Sequence, residues 1–189
     1  MGVPRSKAAA VAAALVPFVS IFVVACGAPS SGPRSAAGDR APSRSTPPDF
    51  ELETLSGDTA RLGDHLGRDV VLVDFWATYC EPCLASMPHL DELYLKYEKR
   101  GFVVLGVSID GPDSVAQVRT EVQKLGVHFP ILLDQETRVV SLYNPKTSAP
   151  YSVLIGRDGR VRAKREGYTT GGAAALEADI VAALDAKTP

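Results

Sequence analysis

Two cysteines, Cys80 and Cys83, stand three positions apart where a buried strand is predicted to give way to a helix. The apolar run before them, residues 70–76, is short and rich in β-branched and aromatic side chains, which is typical of an interior strand. Pro82 falls in the first turn of the predicted helix, where its missing N–H group costs no hydrogen bond. The cysteine pair is therefore predicted to lie at the positive end of a helix dipole.

This position predicts thiol–disulfide chemistry. A helix N-terminus lowers the pKa of a cysteine thiol, and the thiolate is the form that attacks a disulfide. Cys80 is therefore the candidate nucleophile, which would form a mixed disulfide with a substrate. Cys83, one turn further into the helix, would resolve the mixed disulfide and release reduced substrate.

Two acidic residues accompany the cysteines. Asp74 is the one charged residue of the apolar run, and burial raises the pKa of a carboxyl group, so Asp74 is a candidate proton acceptor for Cys83. The alternative is a buried aspartate satisfied by backbone or water. Glu81 places a negative charge beside the nucleophile, which opposes formation of the thiolate and favours a reducing pair. The alternative for Glu81 is an ordinary acidic residue in a first helical turn.

The side chains around the pair are candidates for substrate contact. Trp76 and Tyr79 could shield the disulfide and contact a partner, or each could be a packed aromatic residue. Pro82 lies between the cysteines and belongs to the same candidate surface. The histidines form no ligand pattern, and no metal site is predicted. Of these histidines, His89 is predicted to be exposed.

Composition excludes several function classes. The chain has 189 residues and a formal net charge of −2, and no basic cluster is interleaved with aromatic residues, so a nucleic-acid site is not predicted. Three cysteines are too few for a disulfide-stapled scaffold. One domain of ordinary size with appendages is predicted.

The first 48 residues are predicted to be an export and anchoring segment. A short basic start and an apolar stretch end at residues 23–26, which resemble a bacterial lipobox and imply cleavage before Cys26 and lipid attachment to it. Residues 1–25 are then a signal peptide, and residues 26–48, rich in proline and serine, are a disordered tether. The alternative is an uncleaved signal anchor. Both interpretations place the folded domain, residues 49–189, outside the cytoplasm beside a membrane.

The sequence of the folded part predicts alternating strands and helices followed by a hairpin. Strands are predicted at residues 70–76, 102–109, 129–133, 151–155 and 161–166, after a small hairpin within 50–62. Helices are predicted at residues 81–99, 112–125, 135–143 and 173–184, the first of them kinked at Pro88. This order predicts an α/β sandwich with a mixed central sheet.

The placed motifs resemble the thioredoxin superfamily. The strand 73–77, the cysteine pair, Pro88 and the distal Ala149-Pro150 are similar to its active-site strand, helix and cis-proline loop. The N-terminal hairpin, the inserted strand and helices within 101–148, the Glu-Pro pair between the cysteines and the lipoprotein start resemble the TlpA/ResA-type membrane-tethered thiol–disulfide oxidoreductases. The resemblance implies a thioredoxin-like fold whose Ala149 backbone pairs with an extended substrate strand if Pro150 is cis. A trans turn proline is the alternative.

The resemblance also implies a function and partners. An extracytoplasmic enzyme would reduce protein disulfides, in apocytochrome c or other envelope proteins, and a membrane thiol donor would re-reduce it. The redox-active disulfide would serve without a further cofactor, in a monomer. From the negative charge of Glu81 we expect a reduction potential nearer to that of thioredoxin, about −270 mV, than to that of DsbA, about −120 mV. Asp74 matches thioredoxin, whereas many TlpA/ResA-type sequences have a neutral residue there. The alternatives are a copper-binding chaperone using the cysteines and a histidine, and a thiol peroxidase, whose P-x-x-x-T-x-x-C pattern this sequence lacks.

Overall fold

The computed structural model describes Gly2 and residues 45–187. Apart from Gly2, the predicted signal peptide lies outside the described residues, as do the predicted lipidation site Cys26 and most of the predicted tether. Within residues 45–187, no helix is both long and apolar enough to cross a membrane. Packing begins slightly before the predicted boundary at Asp49, since Pro47 is buried and the Pro48 carbonyl accepts a hydrogen bond from the Tyr143 hydroxyl.

The described elements follow the predicted order. The strands are β1 (Glu51–Glu53), β2 (Thr59–Arg61), β3 (Val70–Trp76), β4 (Phe102–Ser108), β5 (Ile131–Leu133), β6 (Tyr151–Ile155) and β7 (Val161–Glu166). The helices are α1 (Glu81–Tyr97), α2 (Val115–Leu125), α3 (Arg138–Tyr143) and α4 (Thr170–Asp185). A 3₁₀ turn extends α1 over Glu98–Arg100 and ends at Gly101, whose φ of 81° is left-handed.

Five strands form a mixed sheet in the order β5-β4-β3-β6-β7. The strands β3, β4 and β5 are parallel, and β6 and β7 are antiparallel to their neighbours. The strands β1 and β2 form a separate antiparallel pair. The predicted α/β class, mixed sheet and N-terminal hairpin are confirmed, and the fold is thioredoxin-like.

The central strand β3 positions the candidate site because it is covered on both faces. Side chains alternate between the faces of a strand, so Asp74 and Phe75 point in opposite directions. The Phe75 ring lies 5.5 Å from the ring of Tyr143 in α3, which places α3 on one face. Asp74 shares a cavity with Leu90 of α1 and Leu176 of α4, which places these two helices on the other face.

One predicted helix face is only partly buried. The sequence pattern of α2 predicts an apolar stripe, but along this helix only Val118 is buried. Val122 instead lines an open groove beside Ile131 of β5. Because β5 is an edge strand of three residues, it gives α2 little sheet to cover.

Candidate active site

The two cysteines form a disulfide at the start of α1. Cys80 is the N-cap residue, the Cα atoms of Cys80 and Cys83 are 5.2 Å apart, and the Cys83 N–H donates to Cys80 Sγ at 3.3 Å. Cys80 keeps 7% of its surface exposed and Cys83 keeps none. An incoming sulfur can therefore reach Cys80 before Cys83. In the reduced form, the same N–H and the helix dipole would favour a thiolate on Cys80.

The residues around the cysteines differ sharply in exposure. Tyr79 is 74% exposed, and Glu81 and Pro82 are also exposed. Trp76 has no exposed surface, and its Nε1 has no hydrogen-bond partner within the described chain. A fully buried ring favours the packed-aromatic interpretation of Trp76. Tyr79, Glu81 and Pro82 form the surface that a partner would meet.

Asp74 is buried in the middle of the sheet, on the face that α1 and α4 cover. It is 5% exposed, and burial alone raises the pKa of its carboxyl group to about 7. Asp74 lines a cavity of about 260 Å³ together with Ser86, whose hydroxyl donates to the Cys83 carbonyl at 2.8 Å. The carboxyl therefore faces the turn of α1 that follows Cys83. A group with a pKa near 7 at this place can both accept and release a proton.

The Arg165 guanidinium group, which lies on the same face of the sheet as Asp74, forms its ion pair with another residue. Ser152 pairs with Asp74 on one side and with Arg165 on the other, so the three side chains form a row on one face. Arg165 forms an ion pair with Asp179 of α4 and donates to the Ala175 carbonyl. Arg165 lines the same cavity, but the Asp74 carboxyl has no ion pair within residues 45–187.

The distal proline lies at the same edge of the sheet as the cysteines. The Ala149–Pro150 peptide bond is cis. Tyr151 pairs with Phe75 across β3 and β6, so Pro150 lies beside Trp76, where β3 runs into the active-site loop. Pro150 also lines the cavity that contains Asp74. The strand pairing therefore brings together the two motifs that lie some 70 residues apart in the sequence.

Three polar residues of the site were missed by the sequence reasoning. Thr78, Ser108 and Asp110 form a buried hydrogen-bonded cluster between the active-site loop and the end of β4. The available signal was the pair of polar residues Ser108 and Asp110 at the end of a predicted buried strand.

The prediction that His89 is exposed was wrong. Its side chain is 28% exposed, its Nδ1 lies 3.7 Å from Glu92, and its buried Nε2 has no partner among the described residues. The reason is that α4 packs along α1, as the bonds from Lys96 and Tyr97 to Glu177 show. In the described part of the chain, no three histidine, cysteine or acidic side chains are grouped as metal ligands.

Comparisons with known proteins agree with this geometry. A family model described as AhpC/TSA matches residues 44–164. The chain is 38% identical to the thiol-disulfide oxidoreductase ResA of Geobacillus kaustophilus over 118 residues, which are 62% of this chain and 66% of that protein. It is 33% identical to a ResA of Bacillus cereus over 65% of this chain and 69% of that protein. The chain thus spans about two thirds of the length of these relatives.

One solved structure matches this chain over nearly the whole length of the solved protein. The crystal structure of a putative thiol:disulfide interchange protein DsbE from Chlorobium tepidum superposes with a TM-score of 0.70 at 32% identity. The match covers 75% of this chain and 97% of that chain. The similarity therefore includes both the sheet and the helix that carry the cysteines.

Proposed function

This chain belongs to the AhpC/TSA family, and we propose that it is an extracytoplasmic thiol–disulfide oxidoreductase that reduces protein disulfides. The observation that carries the proposal is the Cys80–Cys83 disulfide at the N-terminus of α1, with one sulfur reachable and the other enclosed. The ResA relatives and the DsbE-like structure support the same reaction class.

The reaction begins with the reduced dithiol. The Cys80 thiolate attacks one sulfur of a substrate disulfide, the substrate S–S bond breaks, and the second substrate sulfur leaves as a thiolate that takes up a proton. The Cys83 thiol then gives its proton to Asp74 and attacks Cys80 Sγ. The bond between Cys80 and the substrate breaks, and the substrate sulfur leaves as a thiolate that takes up a proton from solvent. Asp74 releases its proton before the next cycle, and the substrate departs with both sulfurs reduced. Two electrons have moved to the substrate, and the enzyme holds the disulfide seen in the structure.

An extended substrate segment fits the edge at which both motifs meet. Tyr79 and Pro82 offer an exposed ring and an exposed apolar surface beside Cys80. Within the described residues, the backbone groups of Ala149 make no hydrogen bond, so they are available to pair with a substrate strand. Envelope proteins with accessible disulfides, apocytochrome c among them, are the proposed substrates.

The proposed setting is the outer side of a bacterial membrane. The lipobox-like residues before Cys26 support lipid attachment, and the proline-rich segment after them supports a tether for a monomeric domain. A membrane protein that carries a dithiol would return two electrons to Cys80 and Cys83 after each cycle. No cofactor beyond the cysteine pair is needed for this exchange.

Two measurements test the direction of electron transfer and the identity of the partner. Purified wild-type protein is equilibrated with glutathione buffers, and the ratio of dithiol to disulfide gives the reduction potential. We expect a reduction potential nearer to that of thioredoxin, about −270 mV, than to that of DsbA, about −120 mV. A potential above about −180 mV, in the range of isomerases and oxidants, would refute the proposal that the protein is a reductant. Cys83→Ser, expressed in cells, should trap mixed disulfides through Cys80, and the double variant with Cys80→Ser should trap none.

The same preparations separate the alternatives. Peroxide turnover without a protein disulfide would support a thiol peroxidase. Stoichiometric Cu(I) on the reduced protein would support a copper chaperone, since soft thiolates bind Cu(I).

A further inference from the structure

The loop that presents Cys80 is tied to the end of the neighbouring strand. Residues 77–79 join β3 to α1, and β3 pairs with β4 in parallel so that Trp76 lies opposite Ser108. The Ile109 N–H donates to the Trp76 carbonyl at 2.9 Å, which extends the ladder one step beyond the strands. The next residue of that segment, Asp110, therefore lies beside the active-site loop.

The Asp110 carboxylate accepts hydrogen bonds mainly from this loop. The Thr78 N–H donates to both carboxylate oxygens at 3.2 Å and 3.1 Å, and the Thr78 hydroxyl donates to Oδ1 at 2.6 Å. The Ser108 hydroxyl donates to Oδ2 at 2.8 Å. Both oxygens are thus occupied by donors that come from two adjacent elements.

The cluster is buried, and within residues 45–187 no cation forms an ion pair with it. Asp110 is 4% exposed, Thr78 is 9% exposed, and Ser108 is not exposed. Within residues 45–187, no lysine, arginine or histidine forms an ion pair with Asp110. A carboxylate taken out of water is costly unless hydrogen bonds compensate it. The loop must therefore keep the conformation that satisfies Asp110.

That conformation sets the position of the nucleophile. Thr78 is two residues before Cys80, and the Cys80 N–H donates to the Ala77 carbonyl at 3.1 Å, so the turn is closed on itself as well as held by Asp110. The same loop leaves Tyr79 74% exposed and leaves Cys80 at the N-cap, where its sulfur accepts the Cys83 N–H. A small shift of Thr78 would move Cys80 away from the first turn of α1.

We propose that Asp110 is a positioning residue for the exchange reaction, an assignment that rests on the function proposed above. Through the Thr78 N–H and hydroxyl, Asp110 holds the loop so that Cys80 stands at the helix N-terminus. Asp110 does not touch the reacting sulfurs and takes no proton from them. Its contribution is to the rate at which Cys80 attacks, because reactions of this kind are sensitive to misplacement of the attacking group.

The decisive comparison uses two substitutions at Thr78 in the full chain. Thr78→Val keeps the shape of the side chain and the N–H but removes the hydroxyl donor, whereas Thr78→Ser keeps both donors. We expect Thr78→Val to lower kcat/KM for reduction of a protein disulfide by about tenfold, and Thr78→Ser to restore the wild-type value. If Thr78 only stabilised the fold, kcat/KM of each variant would fall in proportion to the fraction of that variant that is folded.

A second comparison separates positioning from general destabilisation. Asp134 is also a buried aspartate at the end of a strand, and its carboxylate accepts the Val139 N–H at 3.1 Å and the Val140 N–H at 2.8 Å, at the start of α3. Asp110→Asn and Asp134→Asn are therefore compared at a temperature at which both are folded. We expect kcat/KM to fall at least about tenfold in Asp110→Asn and to stay near the wild-type value in Asp134→Asn.

The fluorescence of Trp76, the single tryptophan of the chain, reports the loop independently of activity. We expect a red-shifted emission in Asp110→Asn and an unchanged one in Asp134→Asn, because a loosened loop admits water to the buried ring. Equal kcat/KM for Thr78→Val and Thr78→Ser, together with equal values for Asp110→Asn and Asp134→Asn, would overturn the assignment. If the wild-type protein reduces no disulfide, the proposed function is refuted. The emission spectra of Asp110→Asn and Asp134→Asn then decide whether Asp110 holds the loop.

Discussion

Replacing Asp74 by asparagine should stabilise the oxidised protein, and the gain should appear only as the pH rises. Burial raises the pKa of the Asp74 carboxyl from 3.8 to about 7 in the folded state. Between these two values the folded protein holds a proton that the unfolded chain releases. The free energy of unfolding therefore falls as the pH increases from about 4 to about 7 and is level above that range.

The size of the effect follows from the two pKa values. Each pKa unit corresponds to 1.36 kcal/mol, so the penalty reaches about 4 kcal/mol above pH 7. Asparagine has nearly the same shape and cannot ionise, so the variant escapes this penalty. For a domain of this size, the midpoint of thermal unfolding should rise by roughly 10 °C at pH 8 and by little at pH 4.

Guanidinium unfolding of the oxidised proteins, followed from pH 4 to pH 9, measures the difference directly. Asp134→Asn is the control, since its carboxylate accepts two backbone N–H groups and its loss should lower the free energy of unfolding by about 1–3 kcal/mol. The two variants should therefore have effects of opposite sign at pH 8. A gap between Asp74→Asn and wild type that is the same at pH 5 and pH 9 would refute the reasoning.

Three further outcomes are expected. In single-turnover experiments, Asp74→Asn should slow resolution by Cys83 by about 100-fold, so that the mixed disulfide accumulates; an unchanged rate would mean that another group takes the proton. Glu81→Gln should raise the reduction potential of the cysteine pair by about 30 mV, which corresponds to about 1.4 kcal/mol, as measured against glutathione. An unchanged potential would mean that Glu81 is an ordinary surface residue. Tyr79→Ala should raise KM for a protein disulfide and leave the reaction with a small disulfide unchanged, and equal losses with both substrates would argue against docking on the ring.

Local sequence patterns were sufficient to predict the elements and the dithiol. A continuous apolar run predicts an interior strand, and Asp74 within β3 was correctly predicted to be buried for that reason. The start of α1 follows from Cys80 and Pro82, which are adjacent in sequence to the turn that they shape. These features depend only on neighbours along the chain.

Features that depend on strand register could not be predicted in the same way. The bond between Thr78 and Asp110 spans 32 positions and exists because Trp76 pairs with Ser108 in β4. A register shifted by one residue would turn Asp110 to the other side, and nothing in the sequence alone states the register. The partial burial of His89 likewise depends on how α4 lies against α1, which is a property of the packed domain.

Asp74, Glu81 and Asp110 together suggest why this dithiol should be a reductant. One carboxyl is buried behind the helix, one is exposed between the cysteines, and one holds the loop before Cys80. Within residues 45–187 none of them forms an ion pair, although Arg165 lines the cavity that contains Asp74. Negative charge near the sulfurs disfavours a thiolate and so favours the disulfide form. The helix dipole and the Cys83 N–H act in the opposite direction on Cys80, and the reduction potential measures which contribution is larger.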